Sequence, residues 1–209
     1  MKVVILGATG GTGAELVKQA MEIGHEVTAF VRNPSKLNIK HERLKVVQGD
    51  MLDRNSLVNA IRGQDAIISA LGSPGLKKSR DLSEGTRNII DVMESLGVKR
   101  LVFESSVGIG DSLSQTSWFE RKIFFPYVLK NIFADKEIQE EYIADSSLDW
   151  VIVRPAKLTN GKRRGIYRCD HQINETAVSR TISRADTADF MLKQIVDDTF
   201  VRRRPAISY

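Results

Sequence analysis

Residues 7–13 read GATGGTG, which sets Gly7, Gly10 and Gly13 three apart between an apolar run and an amphipathic one. Each glycine has its own use where a strand turns into a helix. Gly7 permits a tight turn, Gly10 lets the backbone approach a phosphate where a β-carbon would intrude, and Gly13 lets the helix lie close to the sheet. The start of the helix adds free N–H groups and partial positive charge. Thr9, Gly11 and Thr12 belong to the same turn and are counted with it. The chemistry expected here is binding of a dinucleotide pyrophosphate. The spacing differs from the G-x-G-x-x-G of most dehydrogenases, so the strand–turn–helix context carries the expectation. Glycines used only for turning are the plain alternative.

About 20 residues further on, a site of this kind reads the adenosine ribose. The second strand ends in VTAFVR, and its last residue is Arg32. An acid there would accept from a ribose 2′-hydroxyl and favour NAD. A guanidinium instead pairs with a 2′-phosphate, so NADP(H) is the expected cofactor. Asn33 and Lys36 stand close by. Ligands of parallel sheets bind at the carboxyl ends of the strands. Two more strand ends are therefore expected in the site. Asp50 and Met51, in GDM, would face the adenine, and Ala70, Leu71 and Gly72, in SALG, would let the dinucleotide pass.

Strand and helix patterns alternate to position these residues. Short β-rich apolar runs predict strands at 3–6, 27–31, 44–47, 66–70, 100–104 and 150–153, with a last short one at 206–208. Helical rhythm predicts helices at 12–23, 53–61, 83–96, 134–145 and 183–196. Asp53 and Ser183 are suited to cap two of them, and Gly24, Gly63 and Gly97 to stop three. The stretch 105–117 reads as a loop, and 156–182 as irregular with short strands. Aromatic residues crowd 118–133, where Pro126 prevents one long helix; the segment is either core or a lid over the substrate. The alternation implies an α/β fold, a doubly wound, Rossmann-type parallel sheet with helices on both faces, in a single domain over 1–209. Substrate-facing elements are expected from about 105–135 and 156–182.

With 209 residues and 42% hydrophobic content, the chain can bury a full core without staples. A single cysteine, Cys169, excludes an internal disulfide and fits a cytoplasmic setting; it has no partners that mark a nucleophile. His25, His41 and His171 show no metal-ligand spacing, so no metal is expected. The net charge of +5 comes from scattered basic residues, the clusters being at 77–78, 162–164 and 202–204. No nucleic-acid motif accompanies them, and no apolar stretch approaches the roughly 20 residues of a membrane span. A monomer or homodimer is expected.

GATGGTG with FVRNPSK, then GDMLD, SEGTRNIIDVMESLGVKRLVF, VIVRP and ISRADTADFML, in that order, resemble the atypical short-chain dehydrogenase/reductase group across nearly the whole chain. The resemblance is greatest to its flavin reductase/biliverdin-IXβ reductase branch, and NmrA-like proteins share the cofactor half. It implies a reductase that passes hydride from NADPH to a flat conjugated acceptor. In that branch a serine after the fifth strand lies by the nicotinamide. Ser106 matches it, with Ser105 as a substitute that is also counted with the cofactor, as is Pro155 of VIVRP. The branch's two substrate-facing histidines are replaced by Lys136 and Lys157, which counts against biliverdin itself and is compatible with a phosphate- or carboxylate-bearing acceptor such as FMN; the acceptor expected is flavin- or quinone-like, with a tetrapyrrole as the remaining alternative. A surface lysine paired with Glu140 and a solvated loop lysine are the bland readings of these two. The group's Tyr-x-x-x-Lys is missing: Tyr127 is followed by Asn131 and Tyr142 by Ser146. The alternative function implied is a non-catalytic NADP(H) sensor of the NmrA-like type.

Overall fold

Strand β1 (Lys2–Leu6) shows why a sheet forms between two layers of helices. Its residues from Val3 to Leu6 have no solvent exposure, so the strand is buried on both faces. Val3 and Ile5 point to one side, Val4 and Leu6 to the other, and each pair enters a different apolar cluster. The first cluster is closed by Leu16, Val17 and Ala20 of α1 (Gly11–Glu22) and by Phe190, Met191 and Leu192 of α5 (Arg184–Lys193). The second is closed by Leu57 and Ile61 of α2 (Arg54–Ile61), Ile89 and Met93 of α3 (Asp81–Leu96), and Ile143 of α4 (Lys130–Ala144).

This computed structural model describes residues 1–72, 80–115, 130–170 and 181–209. The remaining strands are β2 (Glu26–Val31), β3 (Leu44–Gln48), β4 (Ala66–Ser69), β5 (Arg100–Glu104), β6 (Asp149–Pro155), β7 (Lys157–Thr159), β8 (Arg168–Asp170), β9 (Thr181–Ser183) and β10 (Ala206–Ser208). The main sheet has the order β3-β2-β1-β4-β5-β6-β10-β8, parallel except for β8, while β7 and β9 pair separately. The order reverses between β1 and β4, which leaves a crevice at their carboxyl ends. The expected doubly wound α/β sheet is therefore the observed one.

The boundaries differ in instructive places. Helix α3 begins at Asp81, two residues before the expected start, with Asp81 and Glu84 in its first turn where the helix dipole favours acids. Helix α4 begins at Lys130, inside the aromatic stretch; residues 118–129 of that stretch, and with them the question of lid or core, lie outside the described residues, as does His171. Strand β6 runs on to Pro155 and so buries Arg154, a charge that apolar patterning stops short of. A 3-10 turn, Gly110–Gln115, interrupts the expected loop.

Both suggested caps form. Asp53 accepts from the Asn55 N–H, and Ser183 from the Asp186 N–H, at 3.0 and 2.9 Å. Asp186 is itself fully buried. It accepts from the N–H groups of Arg164 and Gly165, each at 2.8 Å, from the Ser183 hydroxyl at 2.9 Å and from the Tyr209 hydroxyl at 2.5 Å. Burial resists ionisation, but the Tyr209 hydroxyl and these other donors together hold its carboxyl below the ordinary range. A depressed pKa contributes stability that is present above the unfolded-state value, about 3.9, and is lost as pH falls through the folded value. Asp186→Asn is expected to cost about 1.5–2 kcal/mol at pH 7 in urea unfolding. The gap to the parent should narrow below about pH 4; a gap independent of pH would remove the ionised carboxylate from the account.

Candidate functional site

The turn from β1 into α1 is built as a cradle. Gly7 has φ +79°, and a β-carbon there would come within 2.5 Å of the Ala70 carbonyl oxygen. A β-carbon on Gly13 would fall on the Gly7 carbonyl, so strand and helix touch through backbone alone. The Gly10 N–H donates to the Gly7 carbonyl at 2.9 Å, and the Ala14 N–H to the Gly10 carbonyl at 2.8 Å, which closes the turn and starts the helix. No side chain caps α1, and no acid stands in its first turn. Its first N–H groups are thus left for an anion.

A cleft of about 710 Å³ runs across this turn. At one end stand Phe30, Arg32, Asn33, Lys36, Gly49 and Met51. The middle is floored by Gly7, Thr9, Gly10, Gly11 and Thr12 and by Ala70, Leu71 and Gly72 after β4. At the other end lie Asp81, Leu82, Glu104, Asn131, Ile132, Asp135 and Leu158. Size, glycine floor and unopposed helix start all fit an extended dinucleotide.

Most of the residues singled out in the sequence meet here, and the exceptions have physical reasons. Gly13 lies beneath the floor as a spacer. Asp50 is not in the lining: its Oδ1 accepts from the Leu52 N–H at 2.9 Å and is spent on its own turn. Ser105 is buried and donates to Glu140. Ser106 donates to the Val107 carbonyl at 3.0 Å, and the Pro155 carbonyl accepts from the Val107 N–H at the same distance, so both serve the loop after β5. Lys136 turns its ammonium to the Glu104 carbonyl oxygen, 3.3 Å away, and over the Phe103 ring. Lys157 is exposed on β7, and its neighbour Leu158 lines the cleft instead. None of Ser105, Ser106, Lys136, Lys157 and Pro155 reaches the lining.

Four charged residues not singled out in the sequence do reach it: Asp81, Glu104, Asp135 and Arg184. Glu104 closes β5; it is buried, and its Oε1 accepts from the Thr12 hydroxyl at 2.9 Å. That hydroxyl hydrogen is therefore not offered to a phosphate. Burial pushes the Glu104 carboxyl up, opposed by the nearby Lys136 charge, the Thr12 bond and Arg184. Burial likewise pushes the Lys136 ammonium down, opposed by Glu104, Glu140 and Asp135. Arg184 lays its side chain across Gly11, whose β-carbon would meet the Arg184 Cδ at 2.5 Å, and donates to Asn160 at 2.6 Å. It brings a fixed cation to the phosphate turn. Asp135, on α4, is also buried. A carboxylate at a strand's carboxyl end could have flagged Glu104; nothing local could have flagged Arg184.

The remaining histidines have turn roles. The His41 Nδ1 accepts from the Arg43 N–H at 3.1 Å, and His25 lies by the N-terminal amine. Cys169 is half-buried in β8. No helix among the described residues is long and apolar enough to cross a membrane.

Comparison with known proteins agrees with this geometry. YwnB, an uncharacterised protein of Bacillus subtilis, is 28% identical over 203 residues, which cover 93% of this chain and 92% of its own. A Rossmann-fold NAD(P)-binding family protein of Shigella flexneri superposes with a TM-score of 0.74 at 26% identity, over 99% of this chain and 92% of its own. The anaerobillin reductase ChuY of Escherichia coli O157:H7 shares the fold, with a TM-score of 0.82 at 23% identity, over 99% and 96%. The model of a family described as NAD(P)H-binding matches residues 7–198. With its glycine cradle, uncapped helix start and dinucleotide-sized cleft, this chain belongs to that NAD(P)H-binding family.

Proposed function

We propose that this chain is an NADPH-dependent reductase of a flat conjugated acceptor. The observation that carries the reading is the continuation of the cleft past the phosphate turn to an end walled by Ile132 and Leu158, where a ring can lie against the nicotinamide. The likeness in fold to an anaerobillin reductase adds support. When bound, the reduced nicotinamide supplies a hydride from C4, so that the acceptor gains two electrons and takes its proton from water. The chain's own part is to bind, orient and exclude solvent.

The tyrosine–lysine pair that hands a ketone substrate its proton does not occur at its usual spacing. None of the four tyrosines has a lysine four residues on, and four residues before Lys136 stands Ile132, in the cleft wall. Transfer to a conjugated ring, which spreads the incoming charge, suits such a site. Arg32 is the residue we assign to the 2′-phosphate, with Asn33 and Lys36 beside it.

The test is loss of NADPH absorbance with FMN, FAD, biliverdin and a small quinone in separate mixtures, with NADH as control. Acceptor-dependent oxidation of NADPH, slower with NADH, is the expected result. Tight NADPH binding with no turnover of any acceptor would replace this reading with the sensor. In parallel, Arg32→Glu is expected to weaken NADPH by roughly thirtyfold, or about 2 kcal/mol, and to leave NADH unchanged. Equal loss for both would take Arg32 away from the 2′-phosphate.

A further inference from the structure

The two ends of the cleft have opposite electrostatic character. Arg32, Lys36, Arg184 and the α1 start make the cofactor side positive. At the acceptor end the described lining holds Asp81, Glu104 and Asp135 and no basic side chain. Lys136 sits behind this wall, against the Glu104 carbonyl and the Phe103 ring, and Lys157 lies off it.

Asp135 is the telling residue. It is 7% exposed, it lines the cleft, and its Oδ1 is buried with no hydrogen-bond partner among the described residues. Lys136, the next residue, turns its ammonium to the Glu104 carbonyl, and that oxygen's lone pairs stay unused. A buried acceptor without a donor is costly, and native folds keep few of them. A ligand N–H would satisfy it.

We infer that the acceptor end is a hydrogen-bond-accepting subsite, in which Asp135 receives a ring N–H of the bound acceptor between Ile132 and Leu158. The acceptor class is then an N–H-bearing conjugated heterocycle, of imide, lactam or pyrrole type, uncharged or cationic at the ring that enters. Any anionic tail lies outside this end. The inference rests on the reductase reading for the word acceptor, but its binding half stands without turnover.

The experiment uses the protein loaded with NADP+, which cannot pass hydride. The probes are lumiflavin, which has an imide N–H and no charged tail, and its N3-methyl derivative, and binding is read by quenching of flavin fluorescence. Lumiflavin is expected to bind at least tenfold more tightly than the methylated form. In Asp135→Leu this preference should fall to near unity, and in Asp135→Asn, which keeps a neutral oxygen, to an intermediate value. If the leucine variant does not fold, the asparagine variant and the parent's preference still decide. Equal binding of the two flavins, or binding of neither, overturns the subsite. A kept preference with no NADPH oxidation by any acceptor would leave the subsite standing and remove the reductase reading. Turnover of both flavins at equal KM would do the reverse.

Discussion

Glu140→Ala is expected to destabilise the fold by about 3–5 kcal/mol, the range for breaking a buried ion pair on one side only. Glu140 on α4 and Arg154 on β6 each expose 4% of their side chains. The guanidinium meets the carboxylate with two bonds, at 2.6 and 3.2 Å, and Ser105 donates to the same carboxylate. Asp111, 2.7 Å from the Arg154 Nη1, is largely exposed and cannot take over the whole charge. Losing Glu140 would leave Arg154 desolvated in the sheet and free the loop that follows β5. The measurement is the shift of the urea midpoint at constant slope. Replacing both partners, Glu140→Leu with Arg154→Met, should recover most of the loss, because two apolar groups need no compensation. A single-variant cost under about 1 kcal/mol would mean that water or another anion reaches Arg154.

Gly10→Val is expected to weaken NADPH at least 100-fold, or about 2.7 kcal/mol, while moving Tm by only a few degrees. Gly10 has φ −79° and ψ 168°, extended backbone open to any residue, and a β-carbon there would stand 3.2 Å from the Gly7 carbonyl oxygen, tight but bearable. Its side chain would instead fill the space over the first N–H groups of α1, where the phosphates are to lie. Titration calorimetry with NADPH reads the loss directly, and unchanged affinity would refute the phosphate turn. Gly13 is the contrasting position, since a β-carbon there strikes backbone and damages the fold itself.

How far the sequence could be read depended on the range of the interactions involved. The apolar runs and glycine stops located β1, α1 and the β2 end, because those patterns are local. The floor of the cleft followed from the same local rule, and so did Arg32, Met51 and the stretch from Ala70 to Gly72. The far wall did not. Glu104 meets Thr12 across a sequence separation of 92 residues, Arg184 reaches Gly11 only after the last helix folds back beside α1, and Arg154 is tolerable in β6 because α4 supplies Glu140. Lys136 illustrates the limit of matching by position: its place in the chain suggested the cleft, yet a desolvated carboxylate and a carbonyl draw it behind the wall. Asp50 shows the same limit on a smaller scale, because a turn two residues long claims its side chain first.

The burial of β1 and β4 on both faces, against the half-exposed β3 at the sheet's edge, has a consequence for local opening. Backbone amides of β1, β4 and β5 should exchange with deuterium only through global unfolding, while those of β3 exchange through fraying of the edge. Mass spectrometry of exchanged peptides would show the two regimes. The phosphate turn hangs from the slow strands and Arg32 from β2, the strand that joins them to the fraying edge. The chain would then hold the pyrophosphate on its most persistent scaffold and read the adenosine ribose beside its least persistent one, so that release of the cofactor begins at the adenosine.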